Sequence, residues 1–225
     1  MSIITVATSK GGAGKTTTVA CVAVHLATEV LRVAVVDSDP NEGFAKWHRD
    51  IYEGPALTVD SITEERRLVE RALELAETHD AVLVDTAGFG NRLALLAITA
   101  SDAVVIPSQC GRGDILEAAA TANLVAAASK SARREIPYRV LLTRIKSRTS
   151  LAEHAAGEVD TAKLARFEGI ISDLVAFQEL TFTGRVPMAG RGGNEIDKII
   201  REMRTLGWLP KRADRRKRGA AAAAE

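Results

Sequence analysis

Short β-branched runs alternate with stretches of helical spacing along the first two-thirds of the chain. Ile3–Ala7, Arg32–Val36, Leu57–Val59, Ala81–Val84, Ala103–Ile106 and Arg139–Leu142 are apolar runs of strand length. Between them Thr16–Thr28, Gly43–Tyr52, Glu64–Thr78, Arg92–Ala100 and Ile115–Ser129 repeat as helices do, and a further helical region opens at about Ser150. Five or six strands that are apolar on both faces, each followed by a helix, predict an α/β fold. Its form is a three-layer, doubly wound, mostly parallel sheet. Ligands in such sheets collect at the carboxyl ends of the strands. Residues 145–170 are charged and show no clear strand before Ile170–Ile171. Beyond them Ser172 or Asp173 is placed to cap a helix ending near Thr181, and Asn194 to cap one from Glu195 to about Leu206, with Gly207 as its stop.

The chemistry sits at those strand ends. After the first strand the chain reads 9-SKGGAGKTTT-18 and passes straight into a helix. Gly11, Gly12, Ala13 and Gly14 let backbone N–H groups turn inward around phosphate oxygens, and the helix N-terminus adds partial positive charge. Lys15 then reaches the terminal phosphates, the Thr16 hydroxyl is a magnesium ligand, and Thr17 completes the nucleotide-binding turn. The strict phosphate-loop pattern fails only at its first position, Ser9. The second strand ends in 37-DSDP-40 and the fourth in 81-AVLVDTAG-88. A carboxylate at a strand end beside a triphosphate orders the metal or the attacking water. Asp39 is assigned to the water, and Asp37 and Asp85 to magnesium. Alternate residues of an extended strand point to one side, so Asp37 and Asp39 are expected to serve one site. Gly88 and Gly90 free the following loop to respond to the γ-phosphate.

Composition narrows the alternatives. A chain of 225 residues suits one α/β domain, here 1–208, followed by a basic, low-complexity tail over 209–225. Aromatic content of 4% leaves little material for base-stacking platforms. Cys21 and Cys110 lie far apart, which excludes a disulfide framework and a paired-cysteine metal knuckle, and Cys21 is expected in the core. The four histidines lack ligand spacing, so no zinc site is expected. The N-terminus has no signal-peptide pattern, and the longest uncharged apolar run, Thr16–Thr28, is too short to span a bilayer. A cytoplasmic protein is expected. Net charge is only +1, yet residues 201–218 hold eight Lys/Arg against two acids. Arg201, Arg204, Lys211, Arg212, Arg215 and Arg216 are thus candidates for contact with nucleic-acid phosphates.

Taken in order, 10-KGGAGKTT-17, DSDP, VLVDTAG and 102-DAVVIP-107 resemble the ParA/MinD family of deviant Walker-A P-loop ATPases. The short chain is most similar to the small ParF-type partition proteins. The resemblance covers residues 2–145 well and the C-terminal third loosely. It implies an ATP- and Mg²⁺-dependent homodimer in which the second loop lysine, Lys10, reaches across to the partner's phosphates as a catalytic cation beside Lys15 and Asp39. It also implies that Thr143, Arg144 and Pro187 form the adenine pocket. Where partition ATPases carry a Pro-Ser-Pro stretch before an aspartate, this chain reads 108-SQCGRGD-114: Asp114 keeps its place and the residues before it depart.

Three functions compete. A nucleoid-associated positioning ATPase would bind DNA nonspecifically in its ATP state and be released by a ParB-like or other stimulating partner. A MinD-like membrane switch needs an amphipathic C-terminal helix, and the tail after Leu209 lacks bulky apolar residues. A metabolic P-loop enzyme, such as an ATP-dependent ligase or an iron–sulfur reductase, is the third reading; the reductase would need the cysteines to share a cluster across a dimer, and Cys21 is expected in the core. Plasmid, chromosome, carboxysome, chemoreceptor array and transferred DNA all remain open as cargo.

Overall fold

The computed structural model describes residues 1–88, 92–146 and 149–210. Strands and helices alternate: β1 (Ile3–Val6), α1 (Lys15–Thr28), β2 (Val33–Asp37), α2 (Gly43–Asp50), β3 (Thr58–Ser61), α3 (Glu65–Thr78), β4 (Ala81–Asp85), α4 (Arg92–Ala100), β5 (Ala103–Ser108), α5 (Arg112–Ala132), β6 (Tyr138–Ile145), α6 (Ser150–Thr161), β7 (Arg166–Ser172), α7 (Val175–Thr183) and α8 (Gly190–Thr205). The strands form one sheet in the order β3-β2-β4-β1-β5-β6-β7, and every pairing is parallel.

The period of two along the strands divides the core. Ile4, Val6, Val33, Val35, Leu83, Val105 and Leu141 face one layer, where they meet α1, α2, α7 and α8. Their alternates face the other layer. Ala34, Val36, Val82 and Val84 pack on α3 and α4, and Val104, Ile106, Val140 and Leu142 on α5 and α6. A strand apolar on both faces can sit only between two helical layers, which is why the runs read as continuous.

The last third differs from expectation in two places. β7 runs the length of Arg166–Ser172 rather than Ile170–Ile171 alone. It is an edge strand: Phe167 and Ile171 are buried, while Glu168 is exposed and Arg166 pairs with Asp160 at 2.8 Å, so its apolar period is broken by charge. The final helix begins at Gly190, four residues before the expected cap at Asn194. Gly192 and Gly193 read as loop, yet they occupy its first turn because the preceding backbone crosses close by. A Cβ at Gly193 would lie 2.5 Å from the Met188 carbonyl carbon. The helix ends as expected, with Gly207 at φ 75° and the Trp208 N–H donating to the Met203 carbonyl at 2.8 Å. Trp208 and Leu209 are buried, so the packed body includes them.

Gly90 and the basic residues Lys211, Arg212, Arg215 and Arg216 lie outside the described residues. Among the described residues, no helix is long and apolar enough to cross a membrane.

Candidate functional site

β1 lies in the middle of the sheet, flanked by β4 and β5, and in this register Val6 stands beside both Asp85 and Val105. The loop that leaves β1 therefore opens where three strand ends converge, with β2 beyond β4 and Asp37 in register with Asp85. Gly12 and Gly14 take φ of 75° and 94°, a left-handed bend that a side chain would strain. Two side chains hold the loop from behind. Thr143 Oγ1 donates to the Ala13 carbonyl at 2.7 Å, and Gln109 Nε2 donates to the Gly12 carbonyl at 2.9 Å. α1 begins directly at Lys15, so the N–H groups of its first turn have no helical partners and face the loop.

Lys15 curls back over this loop. Its Nζ stands 3.4 Å from the Thr8 carbonyl and 3.3 Å from the Lys10 carbonyl, and the side chain is buried. Burial pushes its pKa down, against the attraction of Asp85 and Asp39. Thr16 Oγ1 donates to Asp85 Oδ2 at 2.7 Å. The other carboxylate oxygen, Asp85 Oδ1, is buried without a hydrogen-bond partner. Burial, with a smaller contribution from the neighbouring Asp37, pushes the Asp85 pKa up to about 7, and the Thr16 bond and Lys15 oppose it. A hydroxyl and an orphaned buried carboxylate oxygen form a hard-oxygen donor pair that fits a magnesium ion. Among the described residues no group of three or more His, Cys, Asp or Glu is arranged to hold a metal.

The two aspartates of DSDP are held differently, although the charges of both reach Asp85. β2 stops at Asp37, which is fully buried, and both its oxygens are engaged: Oδ1 accepts from the Asp39 N–H at 3.0 Å and Oδ2 from the Ala45 N–H at 2.9 Å. Asp37 thus anchors the first turn of α2. Burial raises its pKa, partly offset by those backbone bonds. Asp39 lies past the strand in a turn of its own, where its Oδ1 accepts from the Asn41 backbone and side-chain amides at 2.9 and 3.0 Å.

Lys10 is half exposed, and its Nζ lies 2.5 Å from Asp114 Oδ1 of the same chain. Asp114 also accepts from the Gly111 N–H at 3.1 Å, which closes the first turn of α5. Ser9 donates to Glu117 one turn further along α5. On the opposite side, Thr86 Oγ1 donates to the Val6 carbonyl at 3.0 Å, and a Cβ at Gly88 would sit 3.1 Å from the Ser9 carbonyl. The strand end at Asp85–Gly88 therefore runs in contact with the phosphate loop.

The expected base pocket is only partly brought together. Thr143 is buried and acts as a bolt for the loop, while Arg144, exposed at φ 53°, stands at the mouth of a cleft of about 590 Å³. That cleft is lined by Gly14 and Thr17 together with Gln178 and Phe182 of α7. Pro187 is not part of it: it lines a separate depression beside Glu53 and Glu179 and supports Gly192. Gln109 and Phe182 were missed in the sequence; the signals were the departure at 108-SQC-110 and an aromatic residue in a chain with only five phenylalanines. The basic end divides. Arg201 is exposed, whereas Arg204 is largely buried against Glu29 and donates to the Pro210 carbonyl at 3.2 Å, so it serves as a structural ion pair instead of a phosphate contact. Cys21 is fully buried in the core and burial pushes its thiol pKa up.

Residues 1–189 match the family model described as VirC1 protein. The chain is 30% identical over 145 residues to the protein ParA of Rhizobium radiobacter and 34% identical over 151 residues to the virC1 protein of the same organism. Each match covers 64% of this chain and 65% of the relative, so the chain spans just under two-thirds of their length. The fold matches that of the ATP complex of a Cyanothece McdA variant with a TM-score of 0.76 at 16% identity, over 93% of this chain and 98% of that one.

Proposed function

Since this chain belongs to the VirC1 protein family, and with it to the ParA/MinD family, we propose that it is an ATPase of the partition and positioning kind, switched between states by ATP. The observation that carries this reading is the junction of Thr16 with Asp85, whose second oxygen is buried and orphaned, directly under the loop that Lys15 covers.

Each residue then has a task. The Gly11–Gly14 backbone and the first turn of α1 cradle the phosphates, and Lys15 leaves its two carbonyl contacts to meet the terminal phosphate oxygens. Thr16 and Asp85 would hold magnesium, and Asp37 keeps α2 and the Asp39 turn in place behind them. When bound there, magnesium would supply positive charge that offsets the charge developing on the phosphates as the bond breaks. Asp39, held by Asn41, orients the attacking water.

Lys10 completes the site in trans. Lys10 is half exposed while Asp114 is buried, so a partner's phosphate that draws the cation away must offset the cost of leaving that carboxylate unpaired. In the closed, water-poor interface the same cation acts more strongly on developing phosphoryl charge. ATP thereby links two copies. In its ATP state the dimer binds DNA nonspecifically through Arg201 and the basic residues beyond 210, and a partner protein releases it by stimulating hydrolysis.

The direct test is ATP binding and phosphate release with magnesium, for the parent and for Lys15→Ala. Loss of a charge-assisted contact to the terminal phosphates predicts binding weakened by about 100-fold or more and no turnover. Parental binding by the variant would sink the assignment.

A further inference from the structure

α7 carries an aromatic side chain that folding does not use. Phe177 and Leu180 are 7% and 3% exposed and fix the rotation of the helix against the core. Phe182 is 84% exposed, the highest value among the large hydrophobic residues described. It stands four residues after Gln178, so the two share a face of the helix, and both line the cleft of about 590 Å³ that starts at Gly14 and Thr17. Gln178 is held in place by its amide, which donates to Asp173 Oδ1 at 3.1 Å. The cleft has the volume of a small-molecule site and joins the phosphate loop at one end. A nucleotide whose phosphates lay on Gly11–Thr16 would have this adjoining cleft within reach of its ribose and base, and Phe182 lines it as an exposed, flat apolar side chain.

We propose that Phe182 stacks on the purine base of the bound nucleotide and is a specificity-determining residue for base-bearing ligands. This rests on the nucleotide reading above and adds to it a residue that the family resemblance did not supply. Stacking recovers the apolar surface that Phe182 exposes to water in the free protein. Because every base presents a π-face, the interaction favours a base over no base rather than one base over another.

The experiment compares ADP with inorganic pyrophosphate, both with magnesium, by calorimetry on the full chain. ADP lacks the γ-phosphate that would bridge two copies, so affinity is read apart from dimer closure. Phe182→Ala should weaken ADP binding by about tenfold and leave pyrophosphate binding unchanged. Phe182→Trp should retain ADP affinity, and its added fluorescence should be quenched by ADP and not by pyrophosphate. Parental ADP affinity in Phe182→Ala, or equal weakening of both ligands, overturns this inference alone. A parent chain that binds neither ligand overturns the nucleotide reading, and this one with it. The side chain is exposed, so its removal leaves the core intact.

Discussion

At the scale of single residues, the free protein holds charged and polar groups in arrangements that bound nucleotide would rearrange. Lys15 faces two carbonyls and Thr16 faces Asp85, both contacts that phosphate and metal would replace. A buried group away from this site allows a clean pH prediction. His25 lies in α1, where Nδ1 donates to the Cys21 carbonyl at 2.9 Å and Nε2 stands 4.0 Å from Asp197 of α8. Burial lowers its pKa below 6.5, and Asp197 and Glu29 only partly oppose this. The unfolded chain therefore binds more protons near that pH, and stability falls as pH drops through about 6.5. Between about pH 7.5 and 5.5 the thermal midpoint of the parent should drop further than that of His25→Gln. Parallel curves would show that His25 carries no such linkage. Lys10, Lys15, Thr16 and Asp85 were legible as residues because loop chemistry is written in local sequence. The Asp37 role was not, because its partner Ala45 is set by where α2 docks.

At the scale of elements, period and glycine placement behave differently. Six strands were read from continuous apolar runs; of β7 only Ile170–Ile171 was, since its first half alternates charged or half-buried residues with buried ones. Helix ends set by local chemistry, such as Gly207, were readable. The α8 start was not, because its first turn is built from glycines that carry no helical signal and that fit under the backbone at Met188. Gly184, which stops α7, is the stronger example: it sits at φ 65°, and a Cβ there would lie 1.7 Å from the Ile51 carbonyl oxygen. Gly184→Ala should cost about 2 kcal/mol or more in urea unfolding, from left-handed strain and overlap with backbone that has little room to move. Gly113→Ala provides the contrast. It lies in the first turn of α5 with nothing within 4 Å of the added carbon, and should be neutral or stabilising by up to about 1 kcal/mol. Equal losses for the two variants would contradict the close approach at Gly184.

At the scale of the whole molecule, the sheet order places the phosphate loop on a central strand, with carboxylates from β2 and β4 to one side and the Lys10–Asp114 contact at the start of α5 to the other. Lys10 stands half exposed on that second side. DNA retention should require ATP and fall with salt, with the logarithm of affinity losing about 0.9 per phosphate neutralised for each tenfold rise in salt. Retention that ignores nucleotide would separate the basic end from the switch. The central claim is that ATP joins two copies, with Lys10 of each on the triphosphate of the other. Sedimentation of Asp39→Ala in Mg-ATP tests it most directly, because removing the proposed water-orienting carboxylate should keep ATP intact. The account predicts a particle of twice the monomer mass, reverting to monomer when Lys10→Ala is added; a monomer in saturating ATP, or a dimer indifferent to Lys10, would contradict it.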